Sequence, residues 1–167
     1  FDLLDSNIGK KLIVLYWSFE MPGYQQIMRA GSQMVSKTMS ELLSVKNRLD
    51  ENTVKSYREN VERFNKYPVY FHHAPKDIDK IKKINEKVFF QYPDYHILNL
   101  IDHSRLVLAE GLSEFERLGK ISKVCMWMQA KMGTITILLS QLNRNIEQEH
   151  RARNQYQPLL TDLFGAD

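Results

Sequence analysis

Apolar residues in this chain fall into two rhythms. Short stretches of consecutive apolar positions recur at residues 11–18 (KLIVLYWS), 68–71, 97–101 (ILNLI) and 134–139 (TITILL). Apolar character on every position, over so few residues, is what a strand buried on both faces of a parallel sheet requires. Between these runs the spacing changes to three and four. A helix is expected from Pro22 to about residue 43, with Ile27, Ala30, Met34, Val35 and Met39 inward. A second, strongly charged helix covers 53–64 behind an Asp50 cap. A third starts at Asp77 or Asp79 and runs to about residue 90, burying Ile78, Ile81, Ile84 and Val88. The longest, 112–132, carries Leu112, Phe115, Leu118, Ile121, Cys125, Met128 and Met132 at helical spacing and is closed by Gly133. Residues 1–10 read as the last turns of a further helix with Gly9 as its cap. Strands alternating with helices define an α/β fold, a parallel sheet with helices on both faces.

Composition bounds this picture without sharpening it. The 167 residues suffice for one domain with a core of its own, and 43% apolar with 26% charged residues is ordinary for a globular chain. The single cysteine, Cys125, excludes an internal disulfide and fits a reducing, cytoplasmic setting. No apolar run approaches a membrane span, and no signal peptide is visible, so no membrane partner is expected. A net charge of +3 permits nucleic acid without demanding it.

The chemistry gathers at strand ends. Three of the apolar runs deliver a polar side chain at their carboxyl end: Glu20, Asp102 and Gln141. In a parallel sheet these ends lie on one edge, where open α/β sheets place their ligands. An acid that holds magnesium, an acid that activates water and an amide that senses a terminal phosphate together form a set for nucleotide hydrolysis. The plainer alternative is that all three simply cap and solvate loops.

Several segments tip this balance. SFEMPGYQQIMR (18–29) resembles the S-L-E-M-x-x-x-Q-L-x-x-R segment of DnaB-type replicative helicases, with Glu20, Met21, Gln25 and Arg29 on the family's positions. PVYFHHAPKDIDKI (68–81) is similar to that family's next strand, loop and helix, and ILNLIDHSRLV (97–107) to its Walker B segment. ISK (121–123) stands at the family's distance before SQLNR (140–144), the most specific match, and PLLTDL (158–163) follows in order. The resemblance spans nearly the whole chain. It implies a RecA-like P-loop NTPase core from the C-terminal motor domain of a helicase, with residues 1–167 forming one partial domain that lacks the strand and loop before residue 1. It further implies ATP and Mg2+ as cofactors, with Glu20 as the general base and Asp102 holding magnesium directly or through water. Gln141 would then couple the γ-phosphate to the DNA-binding loops. Single-stranded DNA would meet Arg144, Arg151, Arg153 and the main chain at Gly165. The partners implied are self, as a hexameric ring, and primase or a helicase loader.

The departures from the family are specific. No G-x-x-x-x-G-K-[ST] loop occurs in the 167 residues, so this chain alone is expected to hold nucleotide poorly. His103 replaces the tyrosine after the Walker B aspartate, His72-His73 stand where acids are usual, and Phe164-Gly165-Ala166 replaces an Arg-Glu-Ser that opens a DNA-contacting loop. An unusually apolar sheet edge is expected at 134–139. Two other classes share some of these features: a RecA- or KaiC-like ATPase, and a non-catalytic interaction module derived from a helicase. Single features read more plainly. His72 and His73 are neighbours on a strand end and point to opposite faces, which disfavours a shared metal. Met126, Met128 and Met132 fill a core or interface. The lysines between 76 and 87 form a solvated helix face, with DNA or a neighbouring subunit as the alternative. Cys125 is a small apolar residue rather than a nucleophile.

Overall fold

Strand β1 (Leu12–Ser18) pairs on one side with β2 (Val69–His72) and on the other with β3 (His96–Asp102), which pairs in turn with β4 (Ile135–Leu138). All pairings are parallel and the order is β2-β1-β3-β4. The computed structural model describes Ser6, residues 9–46 and 48–141, and Gln157. Each expected apolar run forms a strand, its ends displaced by one residue at most. Helices α1 (Gly23–Met34), α2 (Met39–Leu42), α3 (Glu51–Phe64), α4 (Ile78–Gln91) and α5 (Glu114–Met132) complete the architecture.

The two faces of the sheet are unequal. Ile13, Leu15 and Trp17 of β1 and Ile97 and Ile101 of β3 point to the face covered by α4 and α5, where Ile78, Ile81, Ile121 and Met128 are fully buried. Truncating any of these large side chains would cost about 2–5 kcal/mol, because a cavity adds to the lost transfer energy. On the opposite face Val14, Tyr16, Leu98, Leu100 and Ile137 meet Gln26 and Ala30 of α1 and Phe64 of α3 around a cavity of about 340 Å³. Tyr16 and Leu100 are only half-buried there. The apolar runs suggest equal burial on both faces, but α1 brings a small and a polar side chain, Ala30 and Gln26, and the second face is left loosely filled. β4 is an edge strand among the described residues, and Ile135, Ile137 and Leu139 are exposed along it.

Helix boundaries correct three expectations. The helix expected from Pro22 to about residue 43 stops at Met34, and Ser36 adopts a left-handed φ of 51°. Thr38 then opens α2 with a capping box, its hydroxyl accepting from the Glu41 amide while the Glu41 carboxylate accepts from the Thr38 amide. The face named for that helix is only partly buried, and Gly31 and Ser32 are its buried residues instead. The helix expected from Leu112 begins at Glu114, because Ser113 forms the same reciprocal box with Glu116. Leu112 therefore lies outside the helix, and Phe115 in its first turn is 66% exposed. Of the methionines, Met128 is in the core while Met126 is 70% exposed. The other caps follow expectation: Asp50 and Asp77 start α3 and α4, and Gly133 ends α5 at φ 65°. Most of the helix expected over residues 1–10 lies outside the described residues, although Gly9 has the positive φ of a C-cap. Among the described residues no helix is long and apolar enough to cross a membrane.

Candidate functional site

The carboxyl tips of β1, β3 and β4 are held edge to edge. Ser18 is in register with Asp102, and Ile101 with Leu138. Ladder bonding continues past the strand ends: the Phe19 amide donates to the Asp102 carbonyl at 3.1 Å, Leu139 to Ile101 at 3.0 Å and Ser104 to Leu139 at 2.9 Å. The loops that follow are thus drawn together, and the three residues singled out from the strand ends occupy one edge of three adjacent strands.

Glu20 is exposed on the turn after β1. That turn is pinned from inside. The buried Ser18 hydroxyl donates to the Met21 carbonyl at 2.7 Å and accepts from Gln26 Nε2 at 3.2 Å. Pro22 then precedes α1, where its missing amide costs nothing. Sequence order alone therefore yields a strand, a pinned turn bearing a carboxylate and a helix between Leu12 and Met34.

Asp102 is the last residue of β3 and half-buried. Even-numbered residues of β1 and β3 share the α1 face, so Asp102 lies diagonally across from Tyr16, whose hydroxyl donates to Asp102 Oδ2 at a long 3.5 Å. The Tyr16 phenol is raised above its ordinary pKa of 10.0 first by burial, then by the Asp102 charge, with Arg29 opposing. Tyr16 stays protonated and can only donate to this carboxylate. Tyr16 escapes sequence reading because nothing but strand pairing brings it to Asp102. The one available signal was its even position two residues before Ser18. Next along the chain, the buried His103 follows Asp102 through a cis peptide bond, and His103 Nδ1 has no hydrogen-bond partner among the described residues.

Gln141 is exposed, three residues beyond β4. Arg144, Arg151, Arg153 and Gly165, expected to contact DNA, lie outside the described residues. Among the described residues no group of three or more His, Cys, Asp or Glu side chains could cage a metal. A magnesium ion on this edge would have Asp102 as its protein carboxylate. That donor set fits an ion which keeps waters and shares phosphate oxygens, rather than one enclosed by protein.

A four-stranded parallel sheet of this order, with helices on both faces and polar side chains at its carboxyl edge, is the RecA-like ATPase fold. The chain belongs to the DnaB-like helicase C terminal domain family, whose model matches residues 3–166. Two solved structures share the fold. A DnaB-like replicative helicase, determined with its interactions with primase, matches with a TM-score of 0.81 and 18% identity, over 95% of this chain and 38% of that one. The second, an ATPase domain, matches with a TM-score of 0.83 and 17% identity, over 98% of this chain and 56% of that one. Comparison with curated proteins found no match. The chain thus spans between roughly a third and a little over half of the solved chains it resembles.

Proposed function

We propose that the protein carrying this chain is an ATP-dependent replicative DNA helicase, and that these residues couple Mg-ATP hydrolysis to translocation along single-stranded DNA. The observation that supports this reading is that the carboxyl ends of β1, β3 and β4, which lead to Glu20, Asp102 and Gln141, lie side by side in a member of the DnaB-like family. Bound magnesium would neutralise charge on the phosphates. Asp102 holds the ion, directly or through water, and Tyr16 steadies the carboxylate. Glu20, on its pinned turn, takes the proton of the attacking water. Gln141 meets the terminal phosphate and passes its presence to the segment bearing Arg144, Arg151, Arg153 and Gly165, which contacts DNA. Assembly is a ring of six copies, and primase is a partner.

The 167 residues contain no G-x-x-x-x-G-K-[ST] cradle, so on their own they should bind nucleotide weakly. In the protein that carries them, Glu20→Gln should lower ATP turnover roughly 10²–10⁴-fold while leaving nucleotide binding intact. Retained turnover in that variant overturns the assignment of the base. Undiminished unwinding by Gln141→Ala would likewise sink the sensor role.

A further inference from the structure

The molecule has a second concave surface, on the far side of β1 from the site. It lies between β2, an edge strand among the described residues, and α4, and encloses about 340 Å³. Its floor is apolar, made by Leu15, Ile84 and Val88, and its rim carries Tyr70, His72 and Lys87. Tyr70 is 49% exposed, so an aromatic face is left open to solvent in mid-strand.

One lysine, Lys87, lines this groove. Lys83, one turn before it on α4, is exposed on the same side of the helix, whereas Lys80 lines a different hollow with Asp77 and Glu110. The acids of the same helix are engaged elsewhere: Asp79 with Lys120 at 2.6 Å and Glu86 with Lys82 at 3.8 Å. Lys83 and Lys87 make no ion pair among the described residues, and no acidic side chain lines the groove. His72 is held below its ordinary 6.5 by burial and then by the charge of Lys76, so at neutral pH it adds a dipole and not a second charge.

We infer that this groove takes an acidic segment of another protein, laid as an extended strand along β2. An apolar or aromatic side chain of that segment would sit on the Leu15–Val88 floor, with its carboxylates against Lys83 and Lys87. Charge complementarity sets the sign of the partner. The open strand edge and the apolar floor set its kind, because an extended peptide is read by main-chain pairing plus alternate side-chain pockets. A nucleic-acid strand would satisfy the lysines but has nothing to pair with the main chain of β2.

The test uses the 167-residue chain and a short fluorescent peptide that alternates glutamate with leucine and tyrosine. Trp17 supplies a local reporter, because it stacks on His72 with ring centroids 4.2 Å apart, and Trp127→Phe leaves it as the sole tryptophan. The peptide should bind with a change in Trp17 emission. Lys83→Glu combined with Lys87→Glu should weaken it about tenfold or more, without altering the thermal melt. Unchanged affinity in that double variant overturns the proposal, as does no binding at all. Equal affinity for polyglutamate would mean charge alone acts, and stronger binding of oligothymidylate with the same Trp17 response would mean a nucleic-acid surface; either result overturns it.

Discussion

Asn85 of α4 and Asn99 of β3 exchange two side-chain hydrogen bonds, Nδ2 to Oδ1 at 3.0 and 2.8 Å, with both residues fully buried. Trp17 Nε1 also donates to Asn99 Oδ1 at 2.9 Å, and Asn85 Nδ2 to the Ile81 carbonyl at 3.0 Å. A polar knot thus sits inside the apolar face and ties β1, β3 and α4 together. Asn99→Leu strands both Asn85 Oδ1 and the Trp17 N–H without solvent. It should cost about 2–4 kcal/mol in urea unfolding, since each buried orphan costs about 1–3 kcal/mol. Replacing Asn85 and Asn99 together by leucine should recover part of that loss, and a double variant no better than Asn99→Leu would show that the reciprocal pair is not what is being broken.

Gly31 sets the approach of α1 to α3. A Cβ built there would lie 2.5 Å from Cε2 of Tyr57. Gly31→Ala gains about 1 kcal/mol of helix propensity but overpacks the contact at about 1–3 kcal/mol. The expected outcome is a net fall of a few degrees in melting temperature, reversed when Tyr57→Leu is added. A Gly31→Ala chain more stable than the parent would refute the close packing of these helices.

His72 makes stability depend on pH in a definite direction. Burial first, then Lys76 and His73, hold its pKa below the ordinary 6.5. As pH falls through about 6.5, the unfolded chain takes up a proton that the folded chain refuses, so stability declines until the folded imidazole also titrates. His72→Gln should flatten the decline in melting temperature between about pH 7 and pH 5. Parallel slopes for the two chains would contradict the assignment.

Strands were legible because an uninterrupted apolar run has few other uses, and their carboxyl ends because polarity changes abruptly at Glu20, Asp102 and Gln141. Helix limits were less so. Periodicity ran through Ser36 and Leu112, although Thr38 with Glu41 and Ser113 with Glu116 are capping pairs that could have been read in advance. The Asn85–Asn99 pair could not be foreseen, since a helix and a strand must first be laid together before two amides fourteen residues apart can meet. Tyr16 was hidden for a similar reason: its partner is 86 residues away. Apolar runs also concealed the difference between the two faces of the sheet, which depends on what the covering helices bring. Roles for Glu20, Asp102 and Gln141 came from resemblance; spacing alone offered only their common edge.

That difference between faces divides the labour of β1 by parity. Odd positions, Ile13, Leu15 and Trp17, hold the molecule together, while even positions lead from Val14 through Tyr16 and Ser18 toward Glu20. One strand therefore carries two messages interleaved at every second letter. A slip of a single residue would exchange them, putting the tyrosine in the dry core and the tryptophan beside Asp102. The run toward the sheet edge and the thermodynamic stability of the core are in this way read from the same seven residues in a single register.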